Sequence, residues 1–188
     1  MSYMLRTVRK SRWYLSNSGE WLDKDDLPAD ILNDLITSSN TLSIWEIDGN
    51  KNNLERLLAA LAASREHINQ LDYVLFSPEI LNQVDVKTVK TKGELLDPVA
   101  NEWHVDITDL TAMKLIALAK AIVHSPITEK IRHPEKSIKL LVAQAVANDH
   151  FPIDSLKDKV RIDIKQYLNI SLQENECSSC KGKGVTLS

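Results

Sequence analysis

The chain has 188 residues, 43% of them hydrophobic and 26% charged, with a formal net charge of −3. That is the ordinary balance of a globular protein long enough to bury a core without covalent staples. No run of 18 or more apolar residues offers a membrane span, and the basic N-terminus MSYMLRTVRKSRWY lacks the apolar stretch of a secretory signal.

Arg12-Trp-Tyr-Leu15, closed by Asn17-Ser-Gly19, reads as a first strand and turn. Asp25 and Asp26 before Pro28 suit a helix start, and Leu27, Ile31 and Leu35 repeat every four residues behind them. Leu42 to Ile47 alternates and is stopped by Asp48-Gly49-Asn50, which predicts a strand. Leu54, Leu57, Leu58, Leu61 and Ile68 run through an alanine-rich segment at helical spacing. Leu71 to Phe76 is again a strand, stopped by Ser77-Pro78. Strand, helix and strand in that order predict a βαβ unit with parallel, side-by-side strands and a right-handed crossover.

Val84 to Lys90 alternates, and Lys87 and Lys90 are residues that guard an edge strand. Thr91 to Pro98 reads as a loop punctuated by Gly93 and Pro98. Apolar residues from Leu110 to Val123 cover most of a helix circumference, which predicts a helix buried on nearly all sides. A short helix opening at Ser125-Pro126 must end before Pro134. Ile138, Leu141, Val142 and Ala145 mark the next helix, and Phe151-Pro152 breaks it. Asp154 suits the N-cap of a last helix carrying Leu156, Val160, Ile164, Tyr167 and Leu168. The expected fold is α/β, with α+β as the alternative: a small mixed sheet containing a βαβ unit, then a helical C-terminal half. The expected parts are an α/β part at 1–105, a helical part at 106–169 packed on it, and a polar tail at 170–188.

The only cysteines, Cys177 and Cys180, stand in that tail. A disulfide framework is excluded, and a reducing, cytoplasmic compartment is the economical expectation. Two thiols two residues apart can bind one tetrahedral metal from a single turn, so they are the candidate metal ligands. The stretch Cys177-Ser-Ser-Cys180-Lys-Gly182-Lys-Gly184 resembles one copy of the CxxCxGxG repeat in the cysteine-rich domain of J-domain co-chaperones. There the repeats act in pairs to hold zinc. The resemblance implies Cys177 and Cys180 as zinc ligands and Gly182 and Gly184 as turn residues. It covers eight residues, in one copy and with no J-domain motif before it, and implies no chaperone activity. Remaining ligands would come from His124, His133 or His150, or from a second copy in a homodimer; the alternative is a metal-free tail.

Asp97-Pro-Val-Ala-Asn-Glu-Trp103-His104-Val-Asp106 gathers an imidazole, carboxylates and an indole. In an extended segment His104 and Asp106 share one side, the arrangement that fixes a tautomer for general-base work. They are the candidate catalytic residues, with Asp97 as a further carboxylate. The competing reading has Asp106 capping the following helix while Trp103 covers its end. Glu79, Glu94 and Asp97 lack the pattern of a metal-dependent nuclease, and no phosphate loop or serine-hydrolase motif is present.

Charge is uneven: residues 1–12 carry +4, residues 13–113 carry −11 and residues 114–188 carry +4. Arg132, Lys136 and Lys139 could share a helix face and grip phosphates. Interleaved acids and a pI near 6.0 argue against an obligate nucleic-acid binder. Trp103, Lys136 and Lys139 are the candidate binding residues. The balance points to a non-enzymatic adaptor or regulatory protein working through protein contacts, with the acidic half as a docking surface. The alternatives are a hydrolase-like enzyme using His104 and Asp106, or a nucleic-acid-binding module with a zinc tail.

Overall fold

The computed structural model describes residues 2–13 and 26–168. The strands are β1 (Tyr3–Thr7), β2 (Leu42–Ile47), β3 (Leu71–Phe76), β4 (Lys87–Lys90), β5 (His104–Thr108) and β6 (Glu129–His133). The helices are α1 (Leu54–Ala63), α2 (Glu79–Gln83), α3 (Pro98–Asn101), α4 (Ala112–His124) and α5 (Glu135–Ala147), with α6 over residues 158–168. Short 3-10 turns lie at Lys10–Trp13, Ala29–Asp34 and Ile153–Ser155. One six-stranded sheet runs in the order β4-β5-β2-β1-β3-β6, and each neighbouring pair is antiparallel. The chain is an α+β protein.

The β2–α1–β3 unit is present in split form. Its strands run the same way, because both are antiparallel to β1, but β1 lies between them. The sheet is therefore antiparallel and not mixed. The N-terminal segment takes the central position because it can bury Leu5 on one face and Met4 on the other. It can also satisfy both neighbours' ladders, in the registers Leu5↔Trp45 and Leu5↔Leu75. Arg6, on the Met4 face, is satisfied by backbone. Nε and Nη2 donate to the Asp34 carbonyl at 3.2 and 3.0 Å, and Nη1 donates to the Ser43 carbonyl at 2.8 Å. Burial lowers its pKa, opposed by the Asp34 carboxylate.

Helices cover both faces. Leu5, Ile47, Leu71, Tyr73 and Leu75 face α1, α5 and α6, while Met4, Ile44, Val74, Phe76 and Ile107 face α2, α4 and the Ala29–Asp34 turn. Burial on both sides explains why β3 is apolar almost without alternation. Ala59, Ala60, Ala62 and Ala63 are buried and let α1 approach its neighbours closely.

Several elements differ from the sequence pattern. Arg12 and Trp13 belong to a 3-10 turn, not a strand: Trp13 is fully buried and donates through Nε1 to Asp34 Oδ2 at 2.9 Å. The repeat Leu27-Ile31-Leu35 forms a 3-10 turn over Ala29–Asp34. The short helix expected after Pro126 is instead strand β6, and the 105/106 boundary falls inside β5, in the same sheet. The loop expected over Thr91–Pro98 gives way at its last residue to a helix: Asp97 caps α3, accepting from Val99 N and Ala100 N, and Pro98 opens it. Asp154 lies in a 3-10 turn ahead of α6. α4 is buried on one side and not on nearly all: Leu118, Ala119, Ile122 and Val123 are buried, while Met113 is 74% exposed.

Asp97 is fully buried and holds Arg56 through both oxygens, at 2.5 and 2.9 Å. Burial pushes its pKa up, but Arg56 and the two α3 amides outweigh this and hold it below the usual carboxylate range. The pair is unequal, since Arg56 keeps some exposure and Asp97 has none. Arg56→Leu strands a buried carboxylate and should cost about 3 kcal/mol or more in urea unfolding. Asp97→Asn keeps an N-cap acceptor and should cost less. Equal losses would contradict the assignment.

Candidate functional site

The sheet has a closed end and an open one. At the open end β4 is the edge strand and all four of its residues are exposed. Thr91, just past β4, donates its backbone N–H to the His104 carbonyl. Antiparallel ladders alternate, so residues 89 and 87 also turn their backbone groups toward β5. Thr88 and Lys90 turn theirs outward, and no described residue pairs with that side. Lys87 pairs with Asp109 at 3.4 Å and Lys90 with Glu46, all four side chains well exposed.

Beside this edge, side chains from β2, β5 and the strand-end Thr91 converge. His104 and Asp106 do share one side of β5, opposite Trp45 and Ser43 on β2. Ser43 Oγ donates to Asp106 Oδ1 at 3.0 Å, and Thr91 Oγ1 donates to Asp106 Oδ2 at 2.9 Å. His104 Nδ1 lies 2.8 Å from Thr91 Oγ1. The carboxylate can only accept, so Thr91 spends its proton there and receives the His104 Nδ1–H. This leaves the Nε2 lone pair free, 3.9 Å from Asp106 Oδ1 and too far for a hydrogen bond. The ring meets Trp45 edge-on, with centroids 4.7 Å apart.

The open cleft over these groups, about 410 Å³, is walled by Lys92, Gly93 and Glu94. Gly93 is required there: a Cβ would stand 2.7 Å from Trp45 Cη2 and 2.8 Å from Asn101 Oδ1. Burial lowers the His104 pKa, Asp106 opposes this, Lys90 reinforces it and Glu94 opposes it again. The arrangement provides a neutral, oriented imidazole. Among the described residues no alcohol or thiol is hydrogen-bonded to Nε2.

The other candidates disperse. Asp97 does not accompany His104, because it is committed to Arg56 and α3. Asp106 caps no helix; Thr111 caps α4, accepting from Lys114 N. Trp103 packs against the core on the α1 side, away from α4. Its carbonyl accepts from Glu46 N. Lys139 is bound to Glu135 and Asp163, Arg132 is in a strand and holds Asp72, and Lys136 is exposed on α5. No basic face forms from these three. Of the acids in residues 13–113, Asp34, Asp72 and Asp97 turn inward onto arginines, so the surface is less acidic than the sequence.

His124 meets the Asp26 carbonyl, and His133 stacks on Tyr73 with centroids 5.7 Å apart. Cys177 and Cys180 lie outside the described residues. Among the described residues no three His, Cys, Asp or Glu side chains form a metal-binding group, and no helix is long and apolar enough to cross a membrane.

Ser43 and Thr91 escaped sequence reasoning. The available signal was a serine on the inward register of β2, where Trp45 and Ile47 are apolar.

His104→Ala removes one partly buried hydrogen bond and the Trp45 contact, and should cost about 1–2 kcal/mol in urea unfolding. Because the folded pKa lies below the ordinary 6.5, the unfolded chain binds more protons just under that value. Stability from His104 is present above pH 6.5 and is lost as pH falls through the folded pKa. The Tm of the wild type should thus fall more steeply below pH 6.5 than that of His104→Gln; parallel curves would refute the shift. Compared with known proteins, the chain matches no family model, no curated protein and no solved structure.

Proposed function

We propose that the protein is a non-enzymatic adaptor that takes an extended, carboxylate-bearing segment of a partner protein along β4. One observation carries this reading: β4 is a fully exposed edge strand with the backbone of Thr88 and Lys90 turned outward. Such an edge is a template for an added strand. Its lysines select the occupant. Two copies pairing through β4 would crowd four ammonium groups into one ladder, whereas an acidic segment would meet them favourably. Lys87 and Lys90 can exchange partners cheaply, because exposed ion pairs are worth only about 0–1 kcal/mol.

Selection of a random peptide library against the purified chain should enrich alternating β-branched sequences with Asp or Glu at the flanks. Thr88→Pro deletes an outward N–H without touching the β4–β5 ladder, so it should weaken the selected peptides at least about tenfold while leaving Tm nearly unchanged. Undiminished binding in that variant, or no enrichment, would sink the proposal.

The chain Asp106–Thr91–His104 favours a second reading, a hydrolase-like enzyme with Nε2 of His104 as general base. It predicts turnover of p-nitrophenyl acetate or p-nitrophenyl phosphate that His104→Gln abolishes in a folded protein. The adaptor reading predicts background rates in both.

A further inference from the structure

We infer that the cleft over His104 and Asp106 is a binding site for a primary ammonium on an alkyl stem, the chemistry shared by a lysine side chain of another polypeptide and a free alkylamine. The inference concerns the open face of β5, not the outward backbone of β4, and holds whether or not a strand adds there.

The hydrogen-bond directions make the site an acceptor. Thr91 Oγ1 gives its proton to Asp106 and takes the Nδ1–H of His104, so Nε2 keeps a lone pair and no proton. Nε2 has no hydrogen-bond partner among the described residues, yet it is open to the cleft. The side-chain atoms that are both buried and unpartnered there are Thr128 Oγ1 and His150 Nδ1. The His104 and Asp106 side chains are 12% and 19% exposed, so both can be touched from outside.

Spacing and charge decide the ligand class. Nε2 and Asp106 Oδ1 stand 3.9 Å apart. A nitrogen about 2.9 Å from each would see them roughly 85° apart, within the bending a hydrogen bond tolerates from the tetrahedral angle between two N–H bonds of one ammonium. Asp106 is held by two neutral hydroxyls and pairs with no lysine or arginine among the described residues. Glu94, exposed on the cleft wall, makes no hydrogen bond or ion pair there. Lys92, also exposed on the wall, offsets one of these two carboxylates, and the lining keeps a net negative charge. A phosphate or carboxylate would meet acceptors and repulsion. An ammonium gains a charge-assisted bond to Asp106 and a second bond to Nε2, while Trp45 and Leu95 in the lining offer apolar surface to its stem. Once bound, it occupies the lone pair that general-base chemistry requires and holds the imidazole neutral against the opposing pull of Asp106 and Glu94.

The test is titration of the full chain, ¹⁵N-labelled at histidine, near about pH 7.5, where His104 is neutral. The probes are n-butylammonium, Nα-acetyl-lysine N-methylamide and tetramethylammonium chlorides. Butylammonium should move the His104 Nε2 resonance saturably and lower the pKa of that imidazole. Tetramethylammonium, with no N–H to give, should do neither. Saturation by the lysine derivative as well assigns the site to a lysine side chain, and saturation by butylammonium alone assigns it to a free amine. Asp106→Asn should weaken butylammonium about tenfold or more. Glu94→Lys changes an exposed side chain outside the hydrogen-bond network, so the fold is kept, and should weaken it about threefold. No Nε2 shift up to about 50 mM amine, an equal response to tetramethylammonium, or unchanged affinity in Glu94→Lys would overturn the site.

Discussion

Arg6 is the constraint on which the sheet depends. A strand at the middle of a six-stranded sheet covered on both faces would ordinarily be apolar throughout. Here one core position of β1 carries a guanidinium whose three hydrogen bonds go to two carbonyl oxygens, two to that of Asp34 and one to that of Ser43 on β2. Asp34 in turn accepts from Arg9 N and from the buried Trp13 indole, with Arg12 3.6 Å away. The N-terminal segment is therefore tied to β2 and to the Ala29–Asp34 turn by polar geometry, not by apolar burial alone. Since β2 and β3 each pair with β1 and not with one another, this strand is also the joint between the β4-β5-β2 side of the sheet and the β3-β6 side.

The same arginine explains why β1 is invisible to pattern reading. In Tyr3-Met-Leu-Arg-Thr7 the alternation is broken by a charge, and the segment reads as part of a basic leader. β6 is hidden for a related reason: Glu129-Lys-Ile-Arg-His133 has one aliphatic residue, and its charged side chains are used by Asp72, Lys51 and the Val123 carbonyl. The charged partners, Asp72 and Lys51, stand 60 and 78 positions away in sequence. By contrast α1, with leucines on one stripe and alanines filling the contact, carries its own signal, and β2, β3 and β4 alternate or run apolar between clear stops. The site divides in the same way. His104 and Asp106 lie two residues apart, so local geometry alone puts them together. Ser43 and Thr91 reach Asp106 only through strand pairing, and pairing across 63 positions is a tertiary fact.

The network explains why the helical layer stops short. On the α1 side of β5 the residues are His104, Asp106 and Thr108, on the face where β2 and β3 present Trp45, Ile47, Leu71 and Leu75. A helix laid across that end would strip water from an imidazole, a carboxylate and a hydroxyl in exchange for little apolar contact. The residues instead satisfy one another and leave a cleft, with Gly93 letting the 92–95 loop come down onto Trp45.

The two edges then differ in kind. β6 is half-buried, and its charged side chains are tied to β3, to Lys51 and to the end of α4. An incoming strand would have to break those contacts. β4 is bare, four residues long, and held from one side only. Edge strands are usually blunted by shortness, lysines, a proline or a bulge; β4 has only the first two, and the exposed pairs of its lysines cost little to exchange. A chain laid antiparallel beside it would extend the sheet without disturbing any existing ladder, and would bring its alternate side chains to the rim where Val89 stands opposite Asp106. The open face follows from the polar residues on the α1 side of β5, and it places the exposed backbone of β4 next to the Ser43–Thr91–His104–Asp106 cluster.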